Sequence, residues 1–143
     1  MKQDRKPRKR KFPLGRAVAS VLVSAAALLS VFAFPVSKPE TRRVDLQRHD
    51  LSAPGREVIQ VRVEFDAGAS FGDHHHPGEE VVYVIHGTLE YTLEGRTVAL
   101  NAGEVLFIPA GVVHAARNVG TAEGAELATY IVEKGKPLVV MDE

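Results

Sequence analysis

The chain has 143 residues, no cysteine, and eighteen acidic against eighteen basic side chains. This length suits one domain, and the lack of cysteine excludes disulfide frameworks and thiolate metal sites. The charge is uneven: residues 1–16 carry eight Lys/Arg and one Asp, which leaves the remainder with a net charge of −7. An acidic globular part argues against nucleic acid as a partner.

Residues 1–36 have the pattern of an export signal. The basic stretch is followed by an uncharged run at 17–36, AVASVLVSAAALLSVFAFPV, in which Val31 and Ala33 suit a cleavage site before Phe34. The same run is long enough to cross a bilayer as an uncleaved anchor with its basic flank in the cytoplasm. We expect an exported protein, periplasmic or secreted, with anchoring in the inner membrane by residues 17–36 as the alternative.

Residues 37–55 are polar, include two prolines and show no clear period. They predict a linker and then a short edge strand around residues 43–47. The next segment, 57–65, alternates apolar and polar side chains and predicts a strand with one buried face. The apolar side chains of that face are Ile59, Val61, Val63 and Phe65.

The stretch 68–87, GASFGDHHHPGEEVVYVIHG, carries the chemistry. His74 and His76 are two positions apart, so an extended chain points both imidazoles to one face. The Pro-Gly pair that follows turns the chain, which can bring Glu80 back towards the two rings. Two neutral nitrogens and a carboxylate oxygen suit a divalent transition metal, and His114 in the later stretch GEVLFIPAGVVHAARN offers a fourth ligand.

Both stretches resemble the signatures of the cupin superfamily. The first fits G-x5-H-x-H-x3-E-x6-G, the second fits G-x5-P-x-G-x2-H-x3-N, and every fixed position is present. The resemblance implies an all-β fold over residues 56–143, an antiparallel double-stranded β-helix or jelly-roll barrel. It also implies that one metal ion is held by His74, His76, Glu80 and His114. Cupins catalyse very different reactions, so the resemblance implies little about activity.

The rest of the chain predicts short strands separated by turn residues, as in an antiparallel sandwich or barrel. The predicted strands are 81–85, 88–93, 96–100, 104–108, one that carries His114, and 125–133. We expect Leu138–Met141 near the end of the chain to pair with a partner subunit. We also expect a homodimer, because a small jelly roll has sheet edges and an apolar outer face to cover.

Several neighbours of the predicted metal ligands have expected positions. His75 faces away from its two neighbours, and His86 lies at a hairpin turn with a structural role. The aromatic side chains expected in the core are Tyr83, Tyr91, Phe107 and Tyr130. The side chains expected to line the substrate pocket are Phe71, Val82, Val84 and Phe107. Gln60 and Arg62 are the polar candidates beside the pocket.

Two functions fit a site that holds iron, manganese, nickel, copper or zinc. The first is a metal-dependent dioxygenase similar to the quercetin dioxygenases, acting on a small chelating substrate with Glu80 as the catalytic base. The second is a non-catalytic exported protein that binds a small ligand or a metal. The sequence shows no nucleophile and no obvious acid–base residue beyond Glu80. A sugar-phosphate isomerase is disfavoured because no Lys/Arg cluster is evident for phosphate.

Overall fold

The structure, a computed structural model, describes residues 37–142. Within this range ten β-strands form two five-stranded sheets, and there is no helix with the length and apolar character of a membrane span. The strands are β1 (Thr41–Asp50), β2 (Arg56–Phe65), β3 (Ser70–His75), β4 (Gly78–His86), β5 (Thr88–Leu93), β6 (Arg96–Asn101), β7 (Val105–Ile108), β8 (His114–Asn118), β9 (Gly124–Glu133) and β10 (Val140–Met141). The predicted signal or anchor, residues 1–36, lies outside the described residues.

The two sheets confirm the predicted all-β antiparallel fold. The first sheet has the strand order β1-β2-β9-β4-β7, and the second has the order β10-β3-β8-β5-β6. Most neighbouring strands are distant in sequence because the chain passes repeatedly from one sheet to the other. This is the connectivity of a jelly roll.

The inner face of the first sheet follows from strict alternation along its central strands. The four apolar side chains predicted for one face of β2 are all buried, at 0 to 6% exposure. Strand β9 pairs with β2 over ten residues, from Arg56↔Glu133 to Phe65↔Gly124, and contributes Ala128, Tyr130 and Val132 to the same interior. Burying these side chains between the sheets contributes to the hydrophobic stabilisation of the fold.

Strand β1 covers the edge strand predicted around residues 43–47 and also part of the predicted linker. β1 runs for ten residues and pairs antiparallel with β2, with a bulge between Asp45 and Gln47. Its strand character comes from this pairing and from charged contacts rather than from apolar burial; Arg48, for example, forms a two-pronged ion pair with the buried Glu57 at 2.6 Å. The bulge shifts the side-chain alternation, which hides the strand period in the sequence.

The C-terminal segment pairs within its own chain along one edge, and its pairing with a partner subunit stays a prediction. Val140 lies opposite His75 and Met141 opposite His74, which places β10 at the edge of the second sheet. Asp142 adds a hydrogen bond with His75, with 2.8 Å between the carboxylate oxygen and Nδ1. The last residues therefore cover the strand that carries the histidine run.

Two aromatic side chains predicted for the core lie on the outer face instead. Tyr83 is 45% exposed and Phe107 is 57% exposed. Alternation along β4 turns Glu80, Val82 and Val84 inward, so Tyr83 must point outward, and Phe107 lies on that same outer face of the neighbouring strand β7. Tyr91 and Tyr130 are buried as predicted.

Gly78 begins β4 where the chain passes very close to β9. A Cβ atom at this position would lie 2.2 Å from the carbonyl oxygen of Ile131 and 2.6 Å from Cα of Val132. Both contacts are with backbone atoms, which cannot move aside easily. The absence of a side chain at Gly78 thus sets the spacing that brings β4, and Glu80 on it, into the barrel.

Candidate metal centre

Three imidazoles meet at one end of the barrel interior. His74 on β3 lies directly opposite His114 on β8, and their ring centroids are 4.2 Å apart. His76 follows the end of β3 and is 2% exposed. One ring nitrogen from each of the three lies within 4.8 Å of the others, close enough for a single ion to contact all of them.

The hydrogen bonds of the three rings fix which nitrogen is free to bind a metal. Nδ1 of His74 lies 2.8 Å from the carbonyl oxygen of Gly72, and Nδ1 of His114 lies 2.9 Å from that of Val112. Nδ1 of His76 lies 2.6 Å from the carbonyl oxygen of Leu138. A carbonyl oxygen only accepts, so each Nδ1 must donate, and a neutral ring then keeps its lone pair on Nε2.

Glu80 reaches the same point from the opposite sheet. Its Oε2 atom lies 3.2 Å from Nε2 of His76 and 3.1 Å from Nε2 of His114. With the rings neutral, lone pairs face lone pairs across these distances. Glu80 Oε2 and His76 Nε2 are buried and have no hydrogen-bond partner among residues 37–142. Buried acceptors that face each other require a cation between them, either a proton or a metal ion.

The electrostatics of the cluster favour a cation at this point. Burial lowers the pKa of His74 to about 4, so this ring is neutral at physiological pH. Burial also opposes the charge of Glu80, but the close approach of the His114 and His76 rings outweighs it and holds the pKa of Glu80 well below its usual range. Burial lowers the pKa of His114, but the contact with Glu80 outweighs this effect, and the pKa of His114 is raised overall. A proton and a metal ion would therefore compete for the lone pair of His114.

The predicted register of the histidine run agrees with the structure. His75 points away from the cluster, is about a third exposed and pairs with Asp142. His86 is half exposed and lies 3.7 Å from Glu123 on the surface, away from the three rings. The C-terminal segment has a role that the sequence did not suggest, because Leu138 orients the imidazole of His76.

A narrow cavity of about 10 Å3 adjoins the cluster, with room for about one water-sized group. Phe71 lines it as predicted. The placement of Phe107 in the pocket was wrong, because its side chain lies on the outer face of β7. Val82 and Val84 are fully buried in the core and do not line this cavity. Gln60 and Arg62 lie on the outward-facing side of β2.

The polar side chains that line the cavity besides the cluster are Arg43, Tyr91, Glu126 and Tyr130.

Glu126 is a buried acid that the sequence reasoning missed. It is 4% exposed, lies on the inner face of β9 and accepts a hydrogen bond from the hydroxyl of Tyr91 across the sandwich. Burial, together with the negative charge of Glu80, raises the pKa of Glu126 to about 8. The cavity therefore holds a second acid–base group, contrary to the expectation of none beyond Glu80. The alternation that placed Ala128 and Tyr130 on one face of β9 was the signal that could have found it.

Residues 61–132, half of the chain, match the cupin domain family. The chain belongs to the cupin family. The jelly-roll fold and the three clustered histidines of this cupin domain agree with that assignment.

The proteins to which this chain is similar carry names that refer to different functions. The cupin chain is 46% identical over 57 residues to polyketide synthase CurC of Streptomyces cyaneus, a match that covers 39% of this chain and 37% of that protein. It is 33% identical over 73 residues to the oxalate-binding protein of Thermotoga maritima, covering 50% and 60%. A solved recombinant oxalate oxidase in complex with glycolate superposes with a TM-score of 0.58 at 25% identity, covering 71% of this chain and 54% of that one. The chain thus spans less than two thirds of each of these proteins.

Proposed function

We propose that this cupin binds one divalent transition metal ion through Nε2 of His74, His76 and His114 and the carboxylate of Glu80. The observation that carries the proposal is the convergence of lone pairs: three Nδ1 atoms donate to backbone carbonyls, which turns three Nε2 acceptors towards Glu80. Backbone anchoring of this kind is the usual outer support of metal-binding histidines.

The donor set narrows the choice of metal. Imidazole nitrogens with one carboxylate oxygen suit iron(II), manganese(II), nickel(II), copper(II) and zinc(II) better than magnesium or calcium. When bound, such an ion polarises an oxygen of the ligand and, where the metal is redox-active, exchanges electrons with it. The chain itself supplies a small cavity beside the cluster, the ionised Glu80 and a proton on Glu126.

We infer that the ligand is a small chelating molecule. The cavity of about 10 Å3 admits a water-sized group, so a flavonol would require much more rearrangement than a two- or three-carbon acid. Two similar proteins, an oxalate-binding protein and an oxalate oxidase in complex with glycolate, have names that refer to acids of this size. The small volume of the cavity and the names of these two similar proteins therefore both favour a small organic acid as the ligand.

Two activities are compatible with such a ligand. In the catalytic one, the cupin is a metal-dependent dioxygenase or oxidase in which Glu80 accepts a proton from the ligand and Glu126 supplies a second titratable group at the cavity. In the other, the protein binds the acid without converting it. The protonated Glu126 beside the cluster favours the catalytic candidate, because a buried acid with a raised pKa is typical of catalytic sites.

Oxygen uptake and ligand binding separate these two activities. The metal-free protein is loaded in turn with iron(II), manganese(II), nickel(II), copper(II) and zinc(II), then presented with oxalate, malonate, a flavonol, a β-diketone and a thiol. Oxygen consumption with one of them supports an oxygen-dependent enzyme, and saturable binding without turnover supports a binding protein. Failure of every metal to bind would contradict the proposed function altogether.

We also propose that the protein is exported through residues 1–36 and forms a homodimer. The dimer rests on the outer face of the first sheet, where Val105 and Phe107 on the edge strand β7 are 63% and 57% exposed. Val81 and Tyr83 on β4 pair with them and extend the apolar surface. A second copy would cover both this surface and the unpaired backbone of the edge. Light scattering should give twice the chain mass, and Phe107→Glu should give the monomer with unchanged metal content.

A further inference from the structure

Arg43 is a cation in the cavity whose charge is not neutralised by an ion pair. It extends from β1 and lines the same cavity as His74, Glu80 and His114. Its guanidinium lies 5.7 Å from the ring centre of Tyr130 and donates a long hydrogen bond, 3.4 Å, to the hydroxyl of that residue. In the described part of the chain, no carboxylate lies within ion-pair distance of Arg43.

Three other arginines of this sheet form ion pairs. Arg42 pairs with three acids on the surface, Arg48 with Glu57, and Arg62 with Glu64. A half-buried guanidinium presents five N–H donors in a planar fork that matches a carboxylate. Arg43 therefore has the donors for an anion, and residues 37–142 do not supply one within ion-pair distance.

The nearest acid on the inner face does not neutralise Arg43. Arg43 lies opposite Val63, and Val63 lies opposite Glu126, which puts all three in one row across the sheet. Glu126 turns to the Tyr91 hydroxyl, however, and its raised pKa of about 8 keeps it largely protonated at neutral pH. With a divalent ion bound, the positive charge of the ion and Arg43 would exceed the negative charge of Glu80. The cavity would then attract an anion.

Tyr130 connects the two positive positions. It lies opposite Glu80 in the pairing of β4 with β9, and its ring packs on that of His76 with 4.6 Å between centroids. Its hydroxyl, at the other end of the ring, meets Arg43. The Arg43 guanidinium and the His76 ring thus lie 5.7 Å and 4.6 Å from the centre of the same tyrosine ring, which places the guanidinium close to the cluster.

We propose that Arg43 is the specificity-determining residue of this cupin, and that it binds the carboxylate of a small organic acid whose other oxygen atoms face the metal centre. The proposal rests on the proposed metal site and names the charge class of its ligand. The guanidinium stands on a flexible stem on an edge strand, so it can withdraw from Tyr130 to admit the acid into the small cavity. A neutral metal ligand would gain nothing from Arg43.

The experiment compares anionic and neutral ligands on the cobalt(II)-loaded protein, with the visible spectrum of the cobalt as the readout. Oxalate and malonate are the anions, imidazole is the neutral ligand, and ionic strength is held constant. Arg43→Gln should weaken binding of both acids about tenfold or more, since charge-assisted hydrogen bonds are lost. It should change imidazole binding less than about twofold. Arg43→Lys keeps the positive charge but loses the planar guanidinium, so its affinity for the two acids should lie between those of Arg43→Gln and the wild type.

Arg62→Gln is the matched control, because it removes the same charge from the outward-facing side of the adjacent strand. It should leave the binding of every ligand unchanged. Equal weakening of acids and imidazole by Arg43→Gln, or no weakening of either, would overturn the assignment of Arg43 while leaving the metal site in place. A wild-type protein that takes up no cobalt would overturn the metal site and, with it, the role of Arg43.

Discussion

Glu126→Gln should make the protein more stable, increasingly so as the pH rises. The folded pKa of Glu126 is about 8 against an ordinary value of 4.5, so the folded state holds a proton that the unfolded state has released across this range. Folded-state stability due to Glu126 is therefore complete below about pH 4.5 and is lost as the pH rises towards 8. The slope is about 1.4 kcal/mol per pH unit, with an upper limit of about 5 kcal/mol over the whole window.

The amide of Gln keeps the shape and accepts the hydrogen bond from Tyr91, but it cannot ionise. The groups that face Glu126 are Glu80, Arg43 and Tyr91, and all of them remain in the variant. The difference in unfolding free energy between variant and wild type should thus be small at pH 5 and reach several kcal/mol by pH 8. Metal-free protein is used, because a bound ion would offset the charge of Glu80.

Urea unfolding at half-unit pH steps from 5 to 8.5 measures this difference directly. Tyr91→Phe serves as the companion variant: it removes a donor that lowers the pKa of Glu126, so its loss of stability should continue to higher pH than in the wild type. Parallel stability profiles for wild type and Glu126→Gln would refute the reasoning. They would mean that Glu126 is ionised in the folded protein.

Three further predictions concern packing and metal release. Asn118→Ala should lower the unfolding free energy by about 2–4 kcal/mol, because its side-chain NH2 lies 2.7–3.2 Å from three backbone carbonyls in the interior; a loss below about 0.5 kcal/mol in urea unfolding would contradict this. Gly78→Ala should largely prevent folding, judged by circular dichroism, since its Cβ would lie 2.2 Å from the Ile131 oxygen, whereas Gly72→Ala, with 3.7 Å to its nearest atom, should fold normally. Metal should dissociate as the pH falls, because the neighbouring carboxylate raises the pKa of His114 and so favours the competing proton; equilibrium dialysis showing constant metal content down to pH 4 would contradict this.

The clustering of four polar side chains was predictable from the sequence because their spacing encodes local geometry. His74 and His76 share a face by strand alternation, and Glu80 returns after a turn. His114 lies in a separate stretch, and its direct pairing with His74 depends on strands that only the folded sheet brings together. His114 could be identified from the sequence because the stretch around it fits the second cupin signature, G-x5-P-x-G-x2-H-x3-N.

The features that were missed depend on partners far away in the chain. β1 extends beyond the edge strand predicted around residues 43–47 because β2 pairs with it from Thr41 to Asp50, and the bulge after Asp45 conceals its period. Arg43 faces the cavity only as a consequence of that pairing. The C-terminal segment is apolar at Leu138–Met141, but its side chains do not reveal that the backbone carbonyl of Leu138 orients His76. Glu126 was overlooked because an acid is rarely buried, although the alternation along β9 places it inside.

Metal content of the purified protein and three variants tests the central claim most directly. Elemental analysis should find one transition metal ion per wild-type chain and a sharp loss in both His114→Ala and Glu80→Ala. The matched control is His75→Ala, which alters the same histidine run but not the cluster and should retain the ion. Normal metal content in His114→Ala and Glu80→Ala, with all variants folded, would contradict the proposed convergence of three imidazoles and one carboxylate on a single ion.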